Sequence, residues 1–325
     1  MLAFLVRRLV LSAFMIVTLS LIVFVALYAI GDPVALLAPP DATQLERARI
    51  AAEMGLDQPL PAQYLRFLHN LFRGDLGRSF VYGIPALQLI LERLPATLEL
   101  ALSAMLLALA IGIPLGMYAG LHANRWPDRV ISLVAVLGNS LPTFWVGLML
   151  IMVLSVWLGW LPASGRGATR ALFGVPFSFV TLDGLRHLAL PAANLALFNV
   201  ALVIRLVRAT TREVLPLDYI RFARAKGLRE RRVVGVHALK NIMNPVLTVI
   251  GLQFGSLVAF AIVTESVFSW PGMGKLIIDS IRILDRPVVV AYLMFILALF
   301  IVINLLIEIA YSILDPRIRM RSTVP

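Results

Sequence analysis

The sequence lacks cysteine altogether and is poor in charged residues. Without cysteine among its 325 residues, the chain can build neither a disulfide framework nor a thiolate metal site. Only 14% of the residues are charged and 60% are apolar, whereas about a quarter of the residues of a soluble domain are charged. This composition therefore excludes an ordinary soluble domain.

Long apolar runs take the place of charge, and six stretches of about 20 apolar residues are typical of membrane spans. Because every backbone polar group needs an internal partner in lipid, these runs predict helices, in a single domain covering residues 1–325. Pro142 interrupts the third run and should bend or break the helix there. We expect the spans at residues 9–30, 96–121, 130–158, 188–208, 245–265 and 288–312.

The distribution of Lys and Arg predicts the orientation of the spans. Together they greatly outnumber Asp and Glu in the segments 1–8, 122–129, 208–245 and 315–325. The two signs are nearly balanced in the segments 31–93, 161–187 and 265–287. Since basic loops stay in the cytoplasm, both termini should be cytoplasmic. The net charge of +11 then marks a membrane face rather than a nucleic-acid surface.

Residues 31–93 form a long insertion between the first two spans, and we place it outside the membrane. Asp41 with Gln44 predicts a capping box for a helix near residues 43–54. Apolar residues at helical spacing predict another helix near residues 64–72. The insertion should therefore be a helical layer and not a disordered linker.

Two stripes of glycine follow one face of a predicted span, where small residues let helix backbones approach closely. The glycines are four residues apart within each stripe: Gly112, Gly116 and Gly120 in the second span, and Gly251 and Gly255 in the fifth. Packing within one subunit is the simpler interpretation, and a contact between subunits is the alternative.

Polar side chains in the spans are candidates for a transport pathway or gate, because such groups usually face protein or water. We single out Asn199, Gln253 and Glu265. For Glu265, a carboxylate held by local hydrogen bonds near the membrane surface fits equally well. The four histidines are scattered without paired spacing, so the sequence predicts no metal site.

The basic segment 208–245 contains the signals of a short helix. Asp218 is a suitable N-cap and Gly227 a suitable residue after the C-cap, which predicts a helix near residues 219–226. One face should carry Tyr219, Phe222, Ala223 and Lys226, and the other Arg221, Arg224, Ala225 and Leu228. Because so short a helix is marginal alone, it needs a partner surface. A plain basic loop set by membrane topology remains the alternative.

This segment resembles the EAA loop of the permeases of ABC importers, in their dipeptide, oligopeptide and nickel branch. Arg221-Phe222-Ala223 stand in place of the usual Glu-Ala-Ala, and Gly227 matches the glycine that follows. The resemblance extends over nearly the whole chain. Other matching motifs include Gly31-Asp32-Pro33, Leu94-Pro95-Ala96-Thr97-Leu98-Glu99-Leu100, His237-Ala238-Leu239-Lys240-Asn241 and Thr264-Glu265-Ser266-Val267-Phe268-Ser269-Trp270-Pro271-Gly272.

The resemblance implies an all-α integral membrane protein with six transmembrane helices and the type I ABC importer permease fold. It implies a non-catalytic subunit in the bacterial inner membrane that imports di- or oligopeptides, or a related solute such as a nickel chelate. The implied partners are a second homologous permease, two ATP-binding subunits that hold ATP and magnesium, and an extracytoplasmic binding protein. Segment 209–244 would be the coupling loop. Its ATPase contact would comprise Asp218, Tyr219, Arg221, Phe222, Ala223, Arg224, Ala225, Lys226 and Gly227.

Two other classes of membrane protein fit the sequence less well. A self-sufficient secondary transporter or channel should show inverted repeats and ion-site residues in its spans, and neither is evident. An integral-membrane enzyme should show clustered His, Asp or Glu at the membrane interface, and none is evident. Hydrolysis of ATP would in addition need a phosphate loop, Gly-x4-Gly-Lys-Ser/Thr. The nearest stretch, Gly272-Met273-Gly274-Lys275-Leu276, lacks the first glycine and the hydroxyl, and we interpret it as a turn.

Overall fold

The structure is a computed structural model that describes residues 13–25, 43–54 and 57–314. The two predicted helices of the insertion are confirmed, and both run close to the expected bounds. In the first half of the chain the helices are α1 Ala13–Val25, α2 Gln44–Met54, α3 Leu60–Phe72, α4 Ala86–Leu121, α5 Trp126–Ser140 and α6 Thr143–Leu150.

The capping box of α2 is formed by Thr43 and Glu46. The Thr43 N–H donates to Glu46 Oε2 at 2.8 Å, and the Glu46 N–H donates to Thr43 Oγ1 at 3.3 Å. The predicted pair was Asp41 with Gln44. Gln44 is the first residue of α2 and not its third, and Asp41 lies outside the described residues. The spacing Thr-x-x-Glu lets each side chain reach the backbone of the other, which is the stronger signal.

The third apolar run is broken rather than straight. A π-helix, π1, continues α6 over Ile151–Trp157. The segments Trp126–Gly138 and Thr143–Trp157 are bent relative to each other by 101°. Between them Leu141 is extended, with φ −87° and ψ 136°, because the residue before a proline is disfavoured in the helical region. The single span expected at 130–158 is therefore two segments joined at Pro142.

A short hairpin departs from the all-helical expectation. Strands β1, Arg170–Leu172, and β2, Val175–Phe177, pair antiparallel. Phe173 and Gly174 form the turn with φ of 52° and 80°. Positive φ at both central residues is the type I′ geometry that matches the twist of the flanking strands. An aromatic residue is an unusual choice for such a turn, which explains why the sequence did not predict a hairpin here.

Helices again dominate the second half of the chain. They are α7 Leu182–Val214, α8 Asp218–Ala225, α9 Glu230–Arg232, the π-helix π2 Val233–Ala238, α10 Leu239–Val267, α11 Met273–Arg282 and α12 Arg286–Leu314. Most of the turn expected over residues 272–276 is helical. Only Gly272 lies outside α11, which begins at Met273 and is ten residues long.

Within the residues that the structure describes, four helices are long and apolar enough to cross a membrane: Ala86–Leu121, Leu182–Val214, Pro245–Val267 and Arg286–Leu306. The bent pair would be a fifth. The run expected at 9–30 is described only as α1, and its remainder lies outside the described residues. At 1.5 Å per residue, α4 and α7 are each about 50 Å long, so their ends extend beyond a hydrocarbon layer of about 30 Å.

The chain divides into two compact units. The first comprises residues 1–93 and 276–301. Its core brings Val23 of α1 together with Val290 and Met294 of α12, and Phe67 of α3 packs against them. Asp285 is fully buried and accepts hydrogen bonds from the Ser79 hydroxyl and, at 3.1 Å, from the Phe80 N–H. The loop before α4 is thereby fixed within this unit.

The second unit comprises residues 94–275 and 302–325. Here the glycine stripe of α4 packs against α7. A Cβ atom at Gly112 would lie 2.7 Å from Val203 Cγ1, and one at Gly120 would lie 2.6 Å from Thr211 Cβ. Gly116 approaches the backbone of α7 in the same way. This stripe therefore serves packing within the subunit. In α10, Gly255 is buried and Gly251 is half-buried.

Candidate functional site

The short helix α8 is closed at both ends by local backbone geometry. Helix α7 ends at Val214, and Leu217 is extended immediately before α8, with φ −68° and ψ 147°. The helix therefore begins at Asp218 itself, so the prediction that Asp218 is the N-cap was wrong by one residue. A carboxylate in the first turn still stabilises a helix through its dipole.

The C-terminal end of α8 follows the prediction for Gly227, whose φ is +74°. Its N–H donates to Arg224 O at 2.9 Å, and the Leu228 N–H donates to Ala223 O at 3.4 Å. These two bonds define a Schellman motif, in which glycine adopts the left-handed conformation without a steric penalty. The helix consequently stops sharply, and the chain turns towards α9.

The two faces of α8 differ from the prediction at one position. Ile220 and Ala223 are buried in a core with Val233 and Ala238 of π2 and Ile242 of α10. Ala223 was assigned to a face shared with Tyr219 and Phe222, and this assignment was wrong, because Ile220 and Ala223 together form the inward stripe. Sequence reasoning missed Ile220, although it is the most apolar residue of the helix and lies three positions before Ala223.

The outward face of α8 combines an aromatic ring with basic groups. Phe222 is 61% exposed, and the Lys226 Nζ lies 4.5 Å from its ring centroid. The side chain of Arg221 is 69% exposed and lies 3.8 Å from Asp218. Because aromatic residues and arginine are enriched in protein–protein contacts, this face is a candidate contact surface.

Two polar contacts hold α8 against the segment that follows it. Arg224 Nη2 and Nε donate to the two carboxylate oxygens of Glu230 at 2.7 and 3.2 Å. The hydrogen bond from Arg224 lowers the pKa of Glu230 below its usual range. Asn241 Nδ2 donates to the Tyr219 hydroxyl at 2.6 Å. Residues 218–241 thus form one braced unit, which we call the α8 region.

The apolar core beneath α8 connects it to the long helices. The same cluster contains Val203, Val207 and Val214 of α7 and Ile242 and Val246 of α10. Because packed side chains have few alternative arrangements, a displacement of α8 displaces these residues too. The core is therefore a physical route from the exposed face of α8 to two helices long enough to span a membrane.

A further ion pair lies at the start of α5. Arg208 of α7 donates to both oxygens of Asp128, with its Nη2 at 2.9 Å from Oδ2, and the Asn124 N–H donates to Oδ2 at 2.9 Å. In the sequence, both residues serve only as signals of membrane topology. No feature of a single sequence links two residues 80 positions apart.

Glu265 is fully buried at the far end of α10, where local donors surround its carboxylate. Thr97 Oγ1 donates to Oε1 at 2.6 Å, and the Lys275 N–H donates to Oε2 at 3.0 Å. Thr97 in turn accepts from the Met273 N–H at 2.8 Å. This arrangement corresponds to the local hydrogen-bond alternative for Glu265, and its role in a pathway stays a prediction.

The glycines of the stretch 272–275 have a packing role beside this carboxylate. A Cβ atom at Gly272 would come closer than 3.0 Å to three atoms of the Glu265 carboxyl group. A Cβ at Gly274 would lie 2.6 Å from Ile262 Cα. The resemblance of this stretch to a phosphate loop therefore has a structural cause, namely the close approach of α11 to α10.

A second buried glutamate, Glu99, fastens the hairpin to α4. Its Oε1 accepts from the N–H groups of Ser178 and Phe179 at 2.6 and 2.9 Å, and its Oε2 accepts from Arg166 Nη2 at 2.6 Å. Arg166 also lies 5.7 Å from the ring centroid of Trp270. Sequence reasoning missed this cluster. We call Thr97, Glu99, Arg166, Glu265 and Trp270 the glutamate junction.

The other two pathway candidates lie together. Asn199 of α7 and Gln253 of α10 line one groove with Met105 of α4. Asn199 is only 5% exposed. As for metals, no three His, Cys, Asp or Glu side chains come together as ligands within residues 13–25, 43–54 and 57–314.

Together these features define a class of protein: a helical membrane permease with a braced helix between two of its long helices. Family models support this class along most of the chain. Residues 112–320 match the inner membrane component of binding-protein-dependent transport systems, and residues 1–101 match the N-terminal part of such components. The chain belongs to this family, and it is a permease component of an ABC importer located in the inner membrane.

Curated relatives are similar along their whole length. The chain is 40% identical to the dipeptide transport system permease protein DppB of Escherichia coli (strain K12), with 98% of this chain and 99% of that protein covered. It is 41% identical to the di/tripeptide transport system permease protein DppB of Pseudomonas aeruginosa (strain UCBPP-PA14), with the same coverage.

A solved structure shares the fold. In an inward-facing structure of the MetNI methionine ABC transporter, the match covers 70% of this chain and 94% of that chain, with a TM-score of 0.53 and 17% identity. The type I importer permease fold expected from the sequence is thus confirmed.

Proposed function

We propose that this chain is the first of two permease subunits in an importer that moves di- or oligopeptides from the periplasm into the cytoplasm. The observation that carries the proposal is the 40% identity to a dipeptide permease across 98% of the chain. The similar di/tripeptide permease of Pseudomonas aeruginosa supports the same cargo. A nickel chelate is the related cargo that the experiment below must separate from peptides.

The proposed assembly contains a second homologous permease, two ATP-binding subunits and an extracytoplasmic binding protein. ATP and Mg²⁺ bind to the ATP-binding subunits, and this chain is not catalytic, since its sequence contains no phosphate loop. Six spans form a single permease domain. Both termini and segment 209–244 face the cytoplasm, which agrees with their basic composition, and segment 31–93 faces the periplasm.

In this proposal the outward face of α8 binds a groove of an ATP-binding subunit. The exposed Phe222 ring fills a pocket, and Arg221 and Lys226 pair with acidic groups around it. When ATP closes the two ATP-binding subunits, α8 moves with them. Ile220 and Ala223 then displace the core that they share with α7 and α10, and the pathway changes the side to which it opens.

The test uses Phe222→Ala in the complete complex, reconstituted in liposomes with the binding protein. Exposed aromatic anchors at interface centres contribute about 2 kcal/mol or more, so ATPase binding should fall at least about tenfold. We expect ATP-driven uptake of radiolabelled Ala-Ala to fall in proportion, while the thermal unfolding midpoint stays unchanged, because Phe222 contributes little to the core.

The matched control is Phe72→Ala, because the Phe72 ring in α3 is also largely exposed, at 76%. This variant should leave ATPase binding and uptake intact. Uptake of Ala-Ala without any bound ATP-binding subunit would instead indicate a secondary transporter or channel. Uptake of a nickel chelate without uptake of Ala-Ala would show that the cargo is wrong and the ABC mechanism right.

A further inference from the structure

Helix α5 carries a stripe of large apolar side chains that stays exposed. Because these residues are spaced three or four apart, they share one face of the helix. Their exposed fractions run from 49% to 75%. The stripe comprises Trp126, Val130, Leu133, Val134 and Leu137. An exposed apolar face of this kind marks a contact, and in a membrane protein its cover is lipid or another protein.

The opposite face of α5 fixes the direction of this stripe. Asp128 pairs with Arg208 of α7, and further along both helices Ala135 packs in one cluster with Ile204. Helix α5 therefore runs antiparallel along a helix that is long enough to span a membrane, and the stripe runs into the membrane with it. At 1.5 Å per residue the stripe is about 17 Å long, close to one leaflet of a hydrocarbon layer of about 30 Å.

Two arginines flank the start of the stripe, and both lack an acidic partner. Arg125 is the N-cap of α5, and Arg129 follows one helical turn later. Both are exposed, and neither side chain forms an ion pair with a described residue. The carboxylate between them in the chain, Asp128, is buried and already accepts from Arg208. The start of the stripe therefore carries two positive charges without a counter-charge.

We propose that the start of α5 binds the headgroup of an anionic phospholipid, whose acyl chain lies along the stripe. A guanidinium binds a phosphate through two parallel N–H donors, and Arg125 and Arg129 each offer one. The N-terminus of α5 adds partial positive charge beside them. Tryptophan is enriched where headgroups meet hydrocarbon, which is the place that Trp126 then takes. This site goes beyond peptide import and is the same for every cargo.

Two features favour a phospholipid over a protein as the cover of the stripe. A phospholipid joins a negative headgroup to an apolar chain one leaflet long, in the order in which the arginines and the stripe follow each other. A homologous permease, by contrast, carries basic loops at the same membrane face as this chain, because the same rule of orientation applies to it. Such loops would repel Arg125 and Arg129.

The test measures which lipid contacts the stripe. The complete complex is reconstituted in phosphatidylcholine liposomes that contain a small fraction of photoreactive lipid. Two probes are compared, phosphatidylglycerol and phosphatidylcholine, with the photoreactive group at the same position of the acyl chain, so that they differ only in the headgroup. After illumination, cyanogen bromide releases the fragment 118–149, which contains the whole stripe. Mass spectrometry then quantifies its labelling at residues 126–137.

We expect phosphatidylglycerol to label the stripe at least about tenfold more than phosphatidylcholine, since each arginine beside an anionic headgroup contributes on the order of fivefold. Arg125→Gln/Arg129→Gln should remove this preference and leave labelling by phosphatidylcholine unchanged. Its thermal unfolding midpoint should match wild type, because both side chains are exposed and unpaired. The matched control, Arg231→Gln/Arg232→Gln, removes two exposed charges from α9 and should keep the preference.

Four results would overturn the inference. Equal labelling by the two probes would show that the stripe contacts only bulk lipid, and no labelling by either would show that protein covers it. A preference that survives Arg125→Gln/Arg129→Gln would place the headgroup elsewhere. A preference that the control also removes would reflect net charge and not a site. Labelling needs neither cargo nor ATP, so a failure of Ala-Ala uptake by the wild-type complex in the same liposomes bears on the proposed function alone.

Discussion

Two glutamates of this chain form ion pairs of nearly equal length in opposite surroundings. Arg166 Nη2 lies 2.6 Å from Glu99 Oε2, where the side chains are 13% and 0% exposed. Arg224 Nη2 lies 2.7 Å from Glu230 Oε1, where they are 40% and 59% exposed. The first pair belongs to the glutamate junction and the second to the α8 region.

The two ion pairs differ in how far their polar groups are satisfied within the chain. In the glutamate junction, Glu99 accepts three further hydrogen bonds from Ser178, Phe179 and Arg166 Nε, so the carboxylate is satisfied within the chain. In the α8 region, water covers much of the ion pair, and Phe222 remains exposed beside it. The carboxylate of the junction is satisfied within the chain, whereas the α8 region leaves an aromatic and basic face exposed.

The largest expected effect comes from breaking the buried pair. Glu99→Leu takes the carboxylate away from the nearly buried Arg166 guanidinium. Breaking a buried pair costs about 3–5 kcal/mol, while an exposed pair contributes about 0–1 kcal/mol. Glu99→Leu should therefore lower the thermal unfolding midpoint of the purified complex markedly, and Glu230→Leu should lower it little or not at all.

Glu99→Gln refines this prediction, because glutamine keeps one acceptor for the backbone donors and loses the charge that faces Arg166. Its unfolding midpoint should fall between those of wild type and Glu99→Leu. Equal midpoints for Glu99→Leu and Glu230→Leu would contradict the contrast between the two regions.

A second, smaller effect concerns two glycines. Gly272→Ala puts a methyl group against the buried carboxyl group of Glu265, and overpacking of this kind costs about 1–3 kcal/mol. Gly235→Ala in π2 meets no atom within 4 Å and replaces a helical glycine, so it should be neutral or stabilising. Unfolding midpoints of the two variants test this, and a destabilised Gly235→Ala chain would argue against an open surface at π2.

The same contrast explains what the sequence could predict. Runs of apolar residues and the Asp218–Gly227 spacing are local signals, so the existence of the long helices and the position of α8 were predictable. The helix bounds were less so, since α4 begins ten residues before the expected span at 96–121. The hairpin and the bonds of Glu99 were not, because Glu99, Arg166 and Ser178 are far apart in the chain and none belongs to a local motif.

Ala223 illustrates a different limit. Helical period placed Ala223 with Tyr219 and Phe222 and left out Ile220, because it could not say which positions face inward, and that depends on π2 and α10 packing beneath. A π-helix is itself not encoded by any simple periodicity. The groove lined by Asn199 and Gln253 was predictable in part. The sequence shows that both spans carry a polar residue, but only the fold shows that the two residues lie together.

The smallest expected effect is a pH dependence of the α8 region. Arg224 lowers the pKa of Glu230 in the folded state, so the pair stabilises α8 fully above the ordinary glutamate pKa of about 4.3. This contribution, at most about 1 kcal/mol for so exposed a pair, is lost as the pH falls through the lowered folded pKa.

Hydrogen exchange at the Gly227 and Leu228 amides, which close the C-terminal end of α8, measures the local opening of this helix. Wild type should exchange more slowly than Glu230→Gln at pH 6, once both rates are corrected for intrinsic exchange, and the two should converge near pH 3. A difference that persists unchanged at pH 3 would show that Glu230 stabilises α8 by packing and not by charge.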